Sequence, residues 1–242
     1  MSNYTASTQN REWYRILDGT ALKIIAMISM VLDHIGDIFL PEAGWLRYAG
    51  RIAMPVFAFC IAEGYAHTKD RNRYMIRMGI FALISEIPFD LAFFGKVGFR
   101  HQNIMVTFFI ALLALRLFDA VRGSRSEETG RYSTQKTALG VNTVLAMAVL
   151  ALVLRTDYSL FGVIAVFLFY VFRDAHPVIH SGAGVAFLAL TRTVGCYRAT
   201  GLSFLPLVLY NGKRGKGMKW LFYLFYPGHL LVLYALRAVL KV

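Results

Sequence analysis

Charged residues are scarce in this chain of 242 residues: they make up 17% of it, whereas 57% of the residues are hydrophobic. Apolar runs recur along almost the whole length, and the mean hydropathy is +0.52. A membrane-crossing helix needs about 20 mostly apolar residues. The shortage of charge therefore excludes an ordinary soluble domain. It predicts a single all-α, polytopic membrane domain over residues 1–242.

Cysteine is nearly absent as well. Cys60 and Cys196 lie in separate apolar stretches with no paired spacing, so we expect neither a disulfide nor a cysteine metal site. His176 and His180 have a spacing that can bind metal on a helix, but a third ligand is missing, and no metal is predicted. Internal repeats are also lacking. No small-residue cleavage motif clearly follows the first apolar run, which is therefore predicted to be a retained helix.

Acidic residues are outnumbered, 14 against 26 lysines and arginines, which gives a formal net charge of +12. The basic residues lie in short loops between apolar runs rather than along one exposed face. Nucleic-acid binding is therefore not expected, and the basic residues are interpreted as determinants of membrane topology.

The hydropathy pattern predicts nine spans. They cover residues 21–40, 46–67, 74–95, 102–120, 138–154, 158–172, 177–192, 198–210 and 219–240. With this count, four basic clusters fall on one side of the membrane. The positive-inside rule then predicts a cytoplasmic amino terminus and an external carboxyl terminus. Residues 1–19 and the loop 121–137 are expected in the cytoplasm.

Two titratable residues, Asp33 and His34, interrupt the first apolar run, LKIIAMISMVLDHIGDIFL. Such side chains are costly at membrane depth, so by default they indicate a functional site with partners nearby. At about 1.5 Å per residue, His34 in the first span and Arg51 in the second both lie roughly 9 Å below the outer surface.

Further polar residues fall in the same outer third of the membrane. By the same rise, Glu86 and Asp90 lie about 12 and about 6 Å deep in the third span, and Asn103 opens the fourth. Arg47 shares a helix face with Arg51, as Glu86 does with Asp90, because each pair is four residues apart. Four consecutive spans therefore place polar groups at one level.

Two interpretations of this cluster stay open. In the first it is a buried ion-pair network in which Arg51 pairs with Glu86 or Asp90. His34 then only forms a hydrogen bond to Asp37. In the second, His34 is a general base whose tautomer a neighbouring carboxylate fixes, as general-base catalysis requires.

Two other residues are open to more than one interpretation. Asp33 points about 100° away from His34 around the helix, so it is expected to serve a different neighbour. His229, in the run FYPGHLLVLY, lies near mid-membrane. There it is either a structural histidine bonded to a backbone carbonyl that Pro227 frees, or a ligand-binding residue.

Basic residues of two loops on the predicted cytoplasmic side form a mouth that would suit a polyphosphorylated donor. The second of these loops reads NGKRGKGMK, in which glycines alternate with basic residues, although it does not match a P-loop. Positive-inside bias alone also explains it. The residues of the mouth are Lys69, Arg71, Arg73, Lys213, Arg214 and Lys216.

Several long motifs resemble the TraX family of bacterial integral membrane proteins. They are LKIIAMISMVLDHIG, LRYAGRIAMPVFAFCIAEGYAHTKDRNRY, FALISEIPFDLAFFG, HQN, TDYSLFGV and NGKRGK followed by FYLFYPGHLLVLYAL. The resemblance covers most of the chain and departs chiefly in 121–156 and 173–200. It implies a multi-pass protein of the bacterial inner membrane. It also implies acetyl transfer from acetyl-coenzyme A, since the family's named member acetylates the amino terminus of conjugative pilin.

The family also resembles a wider set of membrane acetyltransferases, which includes lysosomal heparan-glucosaminide and bacterial sugar O-acyltransferases. These carry a histidine in an early span and arginines near the next one. By that pattern His34 would match the catalytic histidine, and Arg47 and Arg51 the arginine pair. The implied acceptor is external: a pilin amino terminus, a glycan, a lipid-linked sugar, or a small amine or alcohol.

The site expected on these grounds divides into two groups. The catalytic group has His34 as general base and Arg51 as stabiliser of the thioester oxyanion, with Asp33, Asp37, Glu86 and Asp90 around them. The group expected to bind acetyl-coenzyme A contains Arg47, Arg51, Lys69, Arg71, Arg73, Asn103, Lys213, Arg214, Lys216 and His229.

Two functions of other classes compete with the acetyltransferase. In a proton-coupled transporter, the titratable residues of the outer third would form a relay. Transporters are often built from repeated halves, and none is evident here. In a pilus or envelope assembly factor, the same residues would only hold the helices together.

Overall fold

The computed structural model describes residues 14–126, 129–191 and 195–240, and within these ranges the chain is helical with no β-strand. This confirms the all-α prediction. Residues 1–13, most of the predicted cytoplasmic segment, lie outside the described part. The α-helices are α1 (Gly19–Ile38), α2 (Gly44–Gly50), α3 (Ala53–His67), α4 (Arg71–Phe94), α5 (Ile104–Arg122), α6 (Thr134–Val153), α7 (Ser159–Val171), α8 (Pro177–Thr191), α9 (Phe204–Val208) and α10 (Lys219–Leu240).

Three of these helices, α5, α6 and α10, are long and apolar enough to cross a membrane. Helices α1 and α4, with 20 and 24 residues, are also long enough to span a membrane, but they carry the charged residues expected at the site. Large apolar side chains are exposed on the outside of the bundle, for example Leu83 at 77% and Val153 at 69%. The chain therefore has the character of a helical membrane protein.

The second predicted span, 46–67, is not one helix. It divides into α2 and α3 at Arg51 and Ile52. Pro55 lacks the N–H that would bond to the Arg51 carbonyl, so the helical ladder is interrupted there. The Ser29 hydroxyl of α1 donates to the Ala49 carbonyl at 2.7 Å and to the Gly50 carbonyl at 3.1 Å. The prediction of a continuous span is therefore wrong at this point.

The eighth predicted span, 198–210, is also wrong as a continuous helix. The structure has a 3₁₀-helix, Gly195–Ser203, followed by the single short turn of α9. A segment of this kind is too short to cross a bilayer, which needs about 20 helical residues.

Helices α1 and α2 pack unusually closely, and this contact positions the site. A Cβ at Gly50 would lie 2.3 Å from the Cβ of Asp33, and one at Gly36 would lie 2.9 Å from the Cβ of Leu46. Only glycine fits at such distances. The approach at Gly50 places Asp33 directly beside Arg51, the next residue along the chain.

A cluster around Asp119 joins several helices at one end of the bundle. Its carboxylate lies 2.9 Å from a guanidinium nitrogen of Arg71 and 3.2 Å from one of Arg122. The hydroxyls of Tyr65 and Tyr170 donate to it at 3.2 and 2.7 Å. The cluster ties α3, α4, α5 and α7 together, so Arg71 is engaged in holding the bundle.

Candidate functional site

Two histidines from opposite ends of the sequence meet in the interior of the bundle. Nδ1 of His34 in α1 lies 2.9 Å from Nε2 of His229 in α10. The two rings are nearly parallel, with centroids 5.0 Å apart, and the edge of His34 also contacts Phe93 of α4. Each histidine is half-buried. Helices α1, α4 and α10 therefore converge on this pair.

The hydrogen bonds of the pair determine where its protons lie. Nδ1 of His229 lies 2.9 Å from the carbonyl oxygen of Phe225, and because a carbonyl can only accept, this nitrogen carries the proton. When the His229 ring is neutral, its Nε2 is therefore unprotonated and accepts a hydrogen bond from Nδ1–H of His34. The Nε2 of a neutral His34 is consequently unprotonated. That nitrogen can accept a proton from another molecule.

The orienting group for His34 is therefore not the one that the sequence predicted. We expected the carboxylate of Asp37, one turn further along α1. The structure places Asp37 against Arg47, with 3.1 Å between the charged atoms, and gives His34 an imidazole partner. One alternative made His229 a structural histidine that bonds to a backbone carbonyl. The structure confirms that His229 makes such a hydrogen bond. The carbonyl is that of Phe225, whereas Pro227 frees the one at Tyr223.

Arg51 is buried in a network of its own. Its side chain is 3% exposed, and Nη2 donates to both carboxylate oxygens of Asp33, at 2.6 and 2.7 Å. Nη1 donates to the Tyr158 hydroxyl at 3.1 Å, and the guanidinium lies 4.7 Å above the ring of Tyr197. The predicted pairing of Arg51 with Glu86 or Asp90 is wrong, and Asp33 serves a neighbour other than His34, as expected.

Tyr158 is held in place by a strained turn before α7. Arg155, Tyr158 and Ser159 have φ values of 54°, 57° and 48°, in the left-handed region that non-glycine residues rarely adopt. The turn is fixed by Thr107, whose hydroxyl lies 2.9 Å from that of Thr156 and also donates to the Asp157 carbonyl. Strain of this kind persists only where the surrounding structure supports it.

The remaining acids of the predicted cluster face the start of α5 and the turn that follows α4. Glu86 accepts from the side chain of Asn103 and from its backbone N–H at 3.3 Å. Asn103 is fully buried and caps α5 by accepting from the N–H of Met105 at 2.9 Å. Asp90 accepts from the N–H of Gly98 at 2.7 Å. These contacts give Glu86, Asp90 and Asn103 structural partners.

A large cavity, of about 660 Å³, leads from one end of the bundle toward the histidine pair. Its mouth carries basic side chains, and we call this end of the bundle the basic end. The basic residues at the mouth are Lys23, Lys69, Arg73, Arg77, Arg214 and Lys219. Of the residues predicted for the mouth, Lys69, Arg73 and Arg214 line the cavity, whereas Arg71, Lys213 and Lys216 do not.

The inner end of this cavity lies one helical turn short of the histidines. It is closed by Met30 of α1 and by Phe225 and Tyr226 of α10. Met30 precedes His34 by four residues, and Phe225 precedes His229 by four, so each shares a helix face with its histidine. The ring of Phe225 stacks on that of His229 with centroids 4.6 Å apart. The cavity and the histidine pair therefore share walls.

The comparison with known proteins agrees with the motifs at this site. The chain matches the family model described as TraX protein over residues 18–237. The chain belongs to the TraX family. The matched region contains both histidines, the Asp33–Arg51 pair and every residue that lines the cavity.

Two relatives show how far the similarity extends. The chain is 28% identical to "Probable fimbrial assembly protein FimC, serogroup H1" of Dichelobacter nodosus over 253 residues, which cover 91% of this chain and 96% of that protein. It is 30% identical to "Protein TraX" of Escherichia coli over 106 residues, which cover 43% of this chain and 42% of that protein. No solved structure shows significant similarity to this TraX-family chain.

Some residues of the site in this TraX-family chain were not predicted. Tyr158 and Tyr197 contact Arg51, and Phe225 separates the cavity from His229. The signal for Tyr158 was present, because the polar run TDYS directly precedes an apolar helix. Nothing in the local sequence distinguishes Phe225 from the other aromatic residues of α10.

Proposed function

We propose that the protein is a membrane-embedded acetyltransferase that moves an acetyl group from acetyl-coenzyme A to an amine or hydroxyl acceptor. The observation that carries the proposal is the hydrogen-bond chain from the Phe225 carbonyl through His229 to His34. It leaves an unprotonated imidazole nitrogen on His34, one helical turn beyond the Met30 that lines the inner end of a cavity with a basic mouth. A general base and a site for a polyphosphorylated donor are what this reaction requires.

The cavity supports the donor half of the proposal. Its volume of about 660 Å³ is within the range of small-molecule sites. The basic mouth would bind the phosphates of coenzyme A, since guanidinium and ammonium groups form strong charge-assisted hydrogen bonds with phosphate. The deeper walls, with Phe57, Met105 and Phe108, are apolar and would suit the pantetheine arm.

His34 would act as the general base. Its Nε2 takes the proton of the acceptor N–H or O–H while the acceptor attacks the thioester carbonyl. The C–S bond then breaks, and the leaving thiolate of coenzyme A takes the proton from His34. His229 stabilises the transient imidazolium because its Nε2 accepts from Nδ1–H of His34. The thioester would have to pass the ring of Phe225.

Arg51 would stabilise the oxyanion. Asp33 and Tyr158 occupy its two terminal nitrogens, and its Nε is buried with no hydrogen-bond partner among the described residues. That N–H is the donor available for developing charge. Arg47 and Asp37 would complete the acceptor side of the site.

The positive-inside rule supports a cytoplasmic basic end in the bacterial inner membrane, with several crossings of the chain. Acetyl-coenzyme A would then enter from the cytoplasm and the acceptor from outside, so that only the acetyl group crosses. The name of the relative from Dichelobacter nodosus, which matches over nearly the whole chain, supports a role in fimbrial assembly. A fimbrial subunit amine is accordingly the acceptor that we propose.

The experiment uses the purified protein in proteoliposomes. The wild type, His34→Ala and the control His101→Ala, which removes an exposed imidazole of the loop before α5, are given acetyl-coenzyme A and a panel of amine and hydroxyl acceptors. We expect saturable donor binding by all three, and acceptor-dependent release of the coenzyme A thiol by the wild type and His101→Ala only. Equal release by His34→Ala would refute the role of the base.

The same experiment separates the enzyme from its rivals. A proton-coupled transporter or an assembly factor without chemistry would neither bind acetyl-coenzyme A saturably nor release its thiol. An absence of binding by the wild type would therefore contradict the proposed function as a whole.

A further inference from the structure

Arg77 of α4 lines the large cavity without a charged partner. We call this cavity, of about 660 Å³, the first cavity, since a smaller one of about 280 Å³ opens beside it. Nε of Arg77 is buried and forms no hydrogen bond with any described residue, and no carboxylate of the described part of the chain forms an ion pair with the guanidinium. A buried polar group without a partner is costly. An anion that enters the first cavity can supply this partner.

The neighbours that hold Arg77 are neutral. Its side chain lies beside the hydroxyls of Tyr223 in α10 and Tyr74 in α4. The ring of Tyr223 in turn stacks on that of Phe81, one turn beyond Arg77, with centroids 4.9 Å apart. Hydroxyl groups position a guanidinium without neutralising its charge. The planar set of N–H donors can therefore still bind a phosphate group.

The acids of the first cavity interact with other cations. Only Glu63 and Asp70 line it, against six lysines and arginines. Asp70 lies 3.0 Å from Nε of Arg73. Glu63 lies 3.9 Å from a ring nitrogen of His67 and also faces the arginines of the smaller cavity. The wall of the first cavity therefore keeps an excess of positive charge, and neither acid offsets Arg77.

Arg77 lies deeper in the first cavity than the basic side chains of its mouth. Arg73, one helical turn before it, is 79% exposed. Arg77 is about 6 Å further along α4, toward the histidine pair. From there the same cavity continues to Phe225, whose ring stacks on that of His229. An anion bound at Arg77 thus leaves the apolar, inner part of the cavity to an uncharged portion of the same ligand.

We propose that Arg77 binds the diphosphate of the donor inside the first cavity and so fixes the depth at which the donor lies. This rests on the proposed function, because it assigns a binding residue for the same donor. A diphosphate ester presents neighbouring charged oxygens, which match the paired N–H donors of a guanidinium. Salt screens the exposed cations of the mouth, but it screens a partly buried one much less. Arg77 is therefore the residue that selects a donor with a diphosphate.

The experiment titrates acetyl-coenzyme A against the purified full chain in phosphatidylcholine nanodiscs, whose lipid carries no net charge. We expect Arg77→Gln to bind the donor at least about tenfold more weakly than the wild type, the loss of a charge-assisted contact. Arg77→Lys keeps the charge but not the paired donors, and its affinity should lie between the two. Arg73→Gln should lose less than about threefold. At about 0.5 M salt only the effect of Arg77→Gln should remain.

The melting temperature without donor separates a binding role from a structural one. Arg77→Gln removes a cation that no acid neutralises, so its melting temperature should equal or exceed that of the wild type. Arg71→Gln, on the same helix, breaks the ion pair with Asp119 and should melt at a lower temperature. If Arg77→Gln melted as low as Arg71→Gln, its role would be structural and the proposal would be overturned.

ADP and AMP test whether the bound group is a diphosphate. ADP should displace acetyl-coenzyme A from the wild type at a lower concentration than AMP does, whereas the two should act equally on Arg77→Gln. Equal displacement from the wild type, or equal donor affinity of Arg77→Gln and the wild type, would overturn the assignment of Arg77 and leave the proposed function intact. No binding of acetyl-coenzyme A by the wild type would overturn both.

Discussion

The imidazoles of His34 and His229 are hydrogen-bonded across two helices, with 2.9 Å between Nδ1 and Nε2, although the residues are 195 positions apart. The Phe225 carbonyl fixes the proton of His229, and His229 in turn fixes that of His34. In the proposed site, a second imidazole and a backbone carbonyl thus take the place of the carboxylate that usually orients a catalytic histidine. With both rings neutral, the pair carries no net charge.

Replacing His229 should affect the reaction more than donor binding. His229→Leu leaves Nδ1–H of His34 unpaired and frees the ring to adopt the other tautomer. We expect acetyl transfer at saturating donor to fall by about 10²-fold or more. His229→Gln keeps an acceptor oxygen for Nδ1–H and should lose less. The rates are measured as coenzyme A thiol release, and an unchanged rate in His229→Leu would show that His34 needs no orienting partner.

The ion pair between Asp33 and Arg51 should contribute strongly to stability. Asp33→Asn leaves a guanidinium that is 3% exposed without its charge partner. We expect a loss of about 3 kcal/mol in the free energy of unfolding. The control is Asp70→Asn, which removes an exposed pair with Arg73 but retains a helix-capping side chain, and it should cost less than about 1 kcal/mol. The free energy of unfolding is measured in detergent, with heat or denaturant as the perturbation. Equal losses in the two variants would contradict the account.

Gly50 should not tolerate a side chain. Gly50→Ala places a Cβ 2.3 Å from that of Asp33 and must separate α1 from α2. We expect it to cost about 1–3 kcal/mol of stability, as overpacking does. Gly228→Ala has no heavy atom within 4 Å of the added Cβ inside α10. It should be neutral or stabilising by up to about 1 kcal/mol. Both variants are compared by their melting temperatures. Equal shifts in the two would contradict the close contact between α1 and α2.

Occupancy of the cavity should protect Cys60. Its side chain lines the first cavity, whereas Cys196 lies outside it. In the Cys196→Ser background, acetyl-coenzyme A should slow the labelling of Cys60 by N-ethylmaleimide, because the donor covers the thiol. In the Cys60→Ser background the labelling of Cys196 should not change. Mass spectrometry of the labelled chain measures both rates, and an unprotected Cys60 would place the donor elsewhere.

Helix positions could largely be predicted because they depend on continuous apolar runs. The last predicted span, 219–240, coincides with α10, and the first, 21–40, differs from α1 by two residues at each end. Pro55 indicates a kink in the second span, but the sequence does not show the close packing of α1 and α2 at the break. Gly50 and Asp33 come into contact only once α1 and α2 have docked.

The sequence predicts a membrane depth for each polar residue, but it does not predict the partners of these residues. Counting residues along a helix gives a depth, at about 1.5 Å each. It does not give the rotation of a helix about its axis or the identity of its neighbours. Arg51 therefore faces Asp33 rather than Glu86, and His34 faces a residue of the last helix. Helix α10 lies beside α1 and α4 in space, and no local sequence signal records this.

The most direct test of the central claim is a cryo-EM structure of the full chain in nanodiscs with a non-hydrolysable acetyl-coenzyme A analogue. We predict the phosphates at the basic end, near Arg73 and Arg214. The acetyl carbonyl should lie past the displaced ring of Phe225, on the side of Nε2 of His34. An analogue bound outside the first cavity, or with its acetyl group directed away from His34, would contradict the account.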